Sequence, residues 1–387
     1  MSQIERPRVR PKNPRFSSGP CRKPPTWSPQ AIADAALGQS HRAEPAMSRI
    51  RHAIELMREL LGVPQDFHVG IVPASDTGAV EMALWSLLGP RKVDVLAWEA
   101  FGRTWLADTV EQLRLDARVH LADYGCLPDL SAVDPSRDLV FTWNGTSSGV
   151  RVPDGSFISR QREGLVICDA TSAAFAVDLP WDRLDATTFS WQKVLGGEAA
   201  HGTLVLSPGA VERLEGWQPP WPMPKIFRLT KNGKFNAAIF GGATINTPSL
   251  MCIEDLVHAL EWARSIGGRE ALISRANANA DVVARFVEST PWLDFLARRP
   301  ETRSNTSVCL RFTSEQVQDT AMAGFTNAVA ARLSAENVAL DVKSYKSAPP
   351  GLRIWCGATV ERSDLEALMP WIEWAYEIEL RRLDGRN

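Results

Sequence analysis

Seven short apolar runs, HVGIVPAS, VDVLAW, ARVHLADY, DLVFTWNG, GLVICDAT, ATTFSWQK and GTLVLS, recur between residues 68 and 207, with helix-patterned segments between several of them. Near-continuous apolar runs suit strands buried on both faces, and parallel neighbours need long, usually helical, crossovers. The alternation therefore predicts an α/β fold: a large domain with a mostly parallel, seven-stranded type of sheet flanked by helices. Ligands of such a sheet collect at the carboxyl ends of its strands.

Around this region the spacing of apolar residues predicts helices in TWSPQAIADAALGQS, opened by Ser28 and Pro29, in MSRIRHAIELMRELLG up to Gly62, and in DTGAVEMALWSLLG. Two further helices, CIEDLVHALEWARSIGG and EALISRANANADVVARFVEST, are separated by Gly267 and Gly268. We expect a domain boundary there, giving an N-terminal arm (1–15), a large domain (16–266) and a smaller α+β C-terminal domain (267–387). The last is expected to hold strand SVCLRFT, helix SEQVQDTAMAGFTNAVAARLSAEN, strands VALDVKSY and GLRIWCGA, and a final helix capped by a Ser363 and Glu366 box. QPPWPMPKIFRLTKNGK reads as a long basic loop.

At 387 residues the chain exceeds one compact core, and 44% hydrophobic with 23% charged residues is ordinary for a globular protein. A formal net charge of −2 argues against a nucleic-acid partner, and GLVICDATSAAFAVDLPW is interrupted by Asp169 and Asp178, so no membrane span is expected. The basic, proline-rich start lacks the apolar stretch of a signal peptide. The six cysteines, Cys21, Cys126, Cys168, Cys252, Cys309 and Cys356, form no C-x-x-C pair, and the six histidines show no ligand spacing. No metal site or disulfide framework is indicated, and a reduced, cytoplasmic protein is expected.

Three strand ends carry chemistry. Ser75, Asp76 and Thr77 open a helix after an apolar strand, an arrangement that caps the helix or holds a phosphate on its N-terminal amides. Asp169 ends VICD, and Lys193 follows TTFSWQ 24 residues later, with Gly196 and Gly197 expected to turn the chain closely past a ligand. Each alone has a bland reading, as a cap or a solvated charge. Together, a lysine, a carboxylate and a phosphate-binding helix end suggest pyridoxal 5'-phosphate: the amine bonds to its aldehyde and the carboxylate keeps its ring nitrogen protonated.

FSSGP at 16–20, SHR at 40–42, ICDATS at 167–172, SWQK at 190–193 and TINTP at 244–248 stand in an order and spacing that resembles the phosphoserine aminotransferase family, in its branch with a divergent C-terminal domain. The resemblance implies a fold-type I pyridoxal phosphate enzyme. It implies that Lys193 is the Schiff-base lysine, Asp169 the partner of the ring nitrogen, Gln192 a phosphate contact and Thr146 a neighbour of the ring oxygen. Phe101 falls where the family stacks an aromatic on the ring, with Trp98 and Trp105 close by. Asn246 and Thr247 match a pair that reaches the cofactor phosphate of a second subunit, which implies a homodimer with shared active sites. Arg353 matches the grip on the substrate α-carboxylate, and His41 and Arg42 the pair at its other end.

Two departures stand out. The cofactor-phosphate turn reads Ser75-Asp76-Thr77-Gly78 in place of a glycine-rich turn with an arginine, which leaves the role of Asp76 open. VKSYKSAPPGLR lacks the family's His-Arg pair, so Lys343, Lys346, Lys231 and Lys234 are the candidates to complete the anion pocket. The implied reaction moves an amino group between L-glutamate and 3-phosphohydroxypyruvate, giving O-phospho-L-serine and 2-oxoglutarate, with a four-carbon analogue of pyridoxine synthesis as a further substrate. Rivals are a serine or alanine:glyoxylate aminotransferase, a cysteine desulfurase, against which Cys309 and Cys356 read as core residues, and a non-catalytic pyridoxal phosphate protein.

Overall fold

The structure is a computed structural model that describes residues 5–33, 35–383 and 385. The chain runs α1 (Glu44–Leu61), β1 (His68–Pro73), α2 (Ser75–Leu87), β2 (Val93–Ala97), α3 (Ala100–Ala107), β3 (Ala117–Leu121), β4 (Asp138–Thr142), the short pair β5 (Asn144–Gly145) and β6 (Val150–Arg151), β7 (Val166–Asp169), β8 (Ala186–Phe189) and β9 (His201–Leu206). Then come α4 (Pro208–Gly216), the hairpin β10 (Thr230–Lys231) and β11 (Lys234–Phe235), α5 (Leu250–Ser265), α6 (Gly268–Glu288), β12 (Leu293–Phe295), β13 (Ser307–Phe312), α7 (Asp319–Ala335), β14 (Leu352–Trp355) and α8 (Arg362–Leu383).

The expected sheet is present, with seven strands in the order β1-β9-β8-β7-β4-β2-β3. β9 is antiparallel to both neighbours, and the remaining pairs are parallel. Alternate residues of its strands feed two cores. Phe141, Cys168 and Phe189 point into one, and Val140, Ile167 and Leu204 into the other, so the sheet is covered on both faces. α1 packs on α5, and α2 lies against β8 and β9. The first core continues through Ile354, Trp355 and Leu365 beneath the three-stranded antiparallel sheet β12-β13-β14 and helices α6, α7 and α8.

Residues 9–22 cross this C-terminal unit before reaching the large sheet. Trp371 Nε1 donates to the Val9 carbonyl (2.7 Å), Leu340 N to Pro14 (2.8 Å), Trp355 N to Phe16 (3.1 Å), and Cys21 N to Gln192 (2.8 Å). The first four residues of the expected arm, and Asp384, Arg386 and Asn387 at the other end of the chain, lie outside the described residues.

Four expectations need correction. Among the described residues of TWSPQAIADAALGQS, which leave out Asp34, there is only a short 3-10 turn, Pro29–Ile32, and Ser28 makes no cap bond; Trp27 is drawn to the Asp255 carboxylate instead. VALDVKSY makes only isolated bridges, because Asp341 sits at φ 57 and breaks the extended course. The Ser363 box does not form: α8 already begins at Arg362, whose side chain binds Glu366, and Asp364 is engaged by residues 12 and 22. α7 starts at Asp319, five residues after Ser314. β12 was not anticipated, and the long loop contains the β10-β11 hairpin. Among the described residues, no helix is long and apolar enough to cross a membrane.

Candidate active site

β7 and β8 are parallel neighbours, with Asp169 paired to Thr188, so their carboxyl ends open side by side. Here lies a cavity of about 240 Å³ lined by Ser75, Asp76, Thr77, Phe101, Thr146, Asp169, Gln192 and Lys193. Eight of the residues singled out in the sequence thus share one wall.

Lys193 sits in a turn beyond β8, closed by Gly196 N to its carbonyl (3.0 Å), and its buried Nζ donates to the Ser18 carbonyl of FSSGP. Burial pushes its ammonium below the usual lysine range, and the charge of Arg353 adds to that effect against the opposing pull of Cys21. A lysine poised toward its neutral form is suited to proton transfer. Gly196 and Gly197 line none of this cavity: Gly196, at φ 66, turns against the Arg22 carbonyl, and Gly197 against the Trp191 ring. The close passage at Gly196 is therefore past the chain's own N-terminal segment, and that at Gly197 past Trp191.

Asp169 Oδ1 accepts from Thr171 N (2.9 Å) and Oδ2 from Trp105 Nε1 (3.0 Å). Trp105 was not expected in this role; its place one helical turn after Phe101 is the signal that could have found it. Thr146 Oγ1 donates to Ser172 Oγ (2.7 Å), and Asn144 Nδ2 reaches Ser172 Oγ and Thr306 Oγ1 (both 2.9 Å), locking this wall to the start of β13. Phe101 lies with its ring centroid 5.5 Å from that of Tyr345, and the Arg353 guanidinium is 5.6 Å from the Tyr345 ring.

The helix end has unusual backbone geometry. Ala74 and Ser75 adopt φ 66 and 53, and α2 has no side-chain cap. Capping by Ser75 or Asp76 is therefore not what these residues do. Uncapped amides and the helix dipole suit an anion at this end. The Oε1 of Gln192, the Thr142 and Thr171 hydroxyls and Asp76 Oδ1 are buried without partners around the same space. A cavity of this size, with an amine, an ionisable carboxylate, an uncapped helix end and orphaned polar atoms, fits pyridoxal phosphate.

The other candidates are not on this wall. His41 and Arg42 lie in the turn before α1, with Arg42 exposed and His41 Nε2 buried without a partner. Asn246 and Thr247 are exposed. Arg353 faces Cys309 across the β13-β14 pair, and its Nε is buried without a partner. Lys231, Lys234, Lys343 and Lys346 are exposed, and Lys234 pairs with Glu215 (3.6 Å). Cys309 and Cys356 are buried in strand and core, and burial pushes the Cys309 thiol up to about 12, opposite to what a nucleophilic cysteine needs.

The architecture and this site define the class first. The fold is that of solved aminotransferases: a phosphoserine aminotransferase from Cytophaga hutchinsonii superposes with a TM-score of 0.79 at 19% identity, covering 93% of this chain and 99% of that one. An aspartate aminotransferase from Thermus thermophilus gives a TM-score of 0.75 at 20% identity, covering 94% and 99%. No family model matches the chain. The phosphoserine aminotransferase of Methanosarcina mazei is 55% identical over 371 residues, 95% of this chain and 98% of that protein. The chain belongs to the phosphoserine aminotransferase family.

Proposed function

We propose that this chain is a pyridoxal phosphate-dependent phosphoserine aminotransferase. It moves an amino group reversibly between L-glutamate and 3-phosphohydroxypyruvate, giving O-phospho-L-serine and 2-oxoglutarate in serine biosynthesis. The observation that carries this is the convergence of Lys193, Asp169 and the uncapped start of α2 on one cavity, in a chain 55% identical to a relative named for this activity.

When bound, pyridoxal phosphate supplies an aldehyde for amine exchange and a protonated ring that draws electron density from the substrate Cα. Lys193 Nζ would bond to that aldehyde at rest and move the proton at Cα once displaced; its depressed pKa supports a neutral amine for this step. Asp169, held by Trp105 and Thr171, would keep the ring nitrogen protonated. Ser75 and Thr77, the first-turn amides of α2, and Gln192 would hold the phosphate, and Thr146 and Phe101 would flank the ring. The planar Arg353 guanidinium would take the α-carboxylate in two parallel hydrogen bonds.

His41 and Arg42, with Lys343, Lys346, Lys231 or Lys234, would serve the distal anion, and Asn246 and Thr247 the cofactor phosphate of a second subunit, in a homodimer with shared sites. The exposure of Arg42, Asn246, Thr247 and the four lysines in the single chain supports completion by a partner copy. The same reading includes a cytoplasmic location, action on the four-carbon analogue in pyridoxine synthesis, and a division into arm, large domain and small domain at residues 15 and 266.

The test is a pair of half-reactions followed by absorbance. Glutamate should convert the aldehyde form of the cofactor to its amine form, and 3-phosphohydroxypyruvate, but not pyruvate, should restore it. Restoration by pyruvate alone would move the chain to a glyoxylate-type or alanine-type activity.

A further inference from the structure

We propose that Tyr345 is a positioning residue for substrate: its ring holds the Arg353 guanidinium in place for the α-carboxylate while leaving the N–H donors of that guanidinium free. The inference deepens the reading above and rests on it for what Arg353 grips.

Arg353 stands on β14 opposite Cys309 of β13, and its charge reaches the Lys193 amine. Its Nε is buried without a hydrogen-bond partner, and among the described residues no carboxylate pairs with its guanidinium. An aromatic ring stands there instead: the guanidinium carbon lies over Tyr345, 5.6 Å from the ring centroid. A cation over a π face is attracted without spending an N–H group, whereas a neighbouring carboxylate would occupy the donors that a substrate carboxylate needs. The planar fork is thus left free to meet a carboxylate with two parallel hydrogen bonds.

Tyr345 is itself fixed from both sides. Arg353 N donates to the Val342 carbonyl (2.7 Å) and Ser344 N to that of Gly351 (3.0 Å), so Tyr345 follows directly on a segment paired with the start of β14. A turn closed by Ala348 N on the Tyr345 carbonyl (2.9 Å) brings Ser347 to Tyr124, with the two hydroxyls 3.2 Å apart. The Tyr345 ring meets Phe101, on α3 in the cavity wall, at a centroid separation of 5.5 Å and a tilt of 46°. That separation is one at which aromatic pairs attract. Tyr345 therefore spans the gap between Phe101 and Arg353, on a loop joined to α3 and to the chain after β3.

Two consequences follow. Both contacts are made by the ring, so phenylalanine should serve at this position as well as tyrosine. Glutamate and O-phospho-L-serine share the α-carboxylate and differ at the other end, so loss of the ring should weaken both by the same factor.

The test uses the full chain, which has three tyrosines, Tyr124, Tyr345 and Tyr376. With carbon-13 in the tyrosine rings, the nuclear magnetic resonance signal lost in Tyr345→Phe identifies that residue. In the cofactor-free protein this signal should move in Arg353→Ala and in Phe101→Leu; a signal unmoved in both overturns the contact. In the loaded enzyme, each half-reaction followed by absorbance separates half-saturation from limiting rate. Tyr345→Leu should raise the half-saturation concentration about 3–30-fold for both amino acids, the worth of a cation–π contact, and change the limiting rate less than about twofold. Tyr345→Phe should match the wild type, and in an Arg353→Ala background Tyr345→Leu should add less than about twofold. A Tyr345→Phe as impaired as Tyr345→Leu, a loss confined to one substrate, or an undiminished effect without Arg353 overturns the positioning role. A wild type inert to glutamate would contradict the proposed function, and the labelled-tyrosine signal would still decide the contact.

Discussion

Arg22 and Asp364 form a buried ion pair (2.7 Å, with 7% and 3% of their side chains exposed) that ties the N-terminal segment, whose Cys21 N bonds to Gln192 O, to α8. Asp364 also accepts from Lys12 N (2.7 Å), so its second oxygen holds the arm. Removing Arg22 strands a carboxylate in the core, and breaking a buried pair in this way costs about 3–5 kcal/mol. Replacing both partners with apolar residues, as in Arg22→Met with Asp364→Leu, leaves no stranded charge; it orphans the Lys12 amide, so about 1–3 kcal/mol should remain lost. Urea unfolding of the cofactor-free protein, followed by tryptophan fluorescence and far-ultraviolet dichroism together, gives the cycle if the two transitions coincide. Because Cys21 N is bonded to Gln192 O next to Lys193, Arg22→Met should also weaken pyridoxal phosphate binding. A single-variant loss below about 1 kcal/mol, the size of a solvated surface pair, would refute the buried-pair reasoning.

Three further outcomes are expected. Lys193→Met should stabilise the cofactor-free protein, since burial disfavours the ammonium. The sign follows from linkage: with the folded pKa lowered, the unfolded chain binds more protons as pH rises toward about 10.4, so wild-type stability climbs and the variant's advantage shrinks over that window in thermal scans. Arg353→Ala should raise KM for glutamate far more than it lowers kcat, by about 10–150-fold for charge-assisted bonds worth about 1.5–3 kcal/mol, measured in steady-state kinetics. Trp105→Phe removes the donor to Asp169 Oδ2 and should cost about 1–3 kcal/mol in unfolding experiments while shifting the pH titration of the bound cofactor's absorbance.

Legibility in the sequence followed the range of the interactions involved. β2, β4 and β8 were readable because they are buried along their whole length, which leaves uninterrupted apolar runs, whereas the edge strand β3 is largely exposed. Lys193, Asp169 and Ser75 to Thr77 were readable because each ends such a run. VALDVKSY has strand-like residues too, but a left-handed Asp341 is a backbone choice that apolar pattern does not report. The helix expected after Ser28 yielded to a tertiary contact, Trp27 with Asp255, that joins residues 228 positions apart. Trp105 was hidden for the same reason: its partner Asp169 lies on β7, 64 residues away in the chain, and only sheet order brings them together. The glycines after Lys193 were rightly read as sites of close approach, with the wrong neighbour.

In the proposed function, Lys193 is the amine that carries the cofactor. The full chain should be incubated with pyridoxal phosphate, reduced with borohydride, digested and mapped by mass spectrometry. Stoichiometric pyridoxyl label is expected on Lys193, and none in Lys193→Met. Label distributed over surface lysines, or retained elsewhere in that variant, would contradict this assignment.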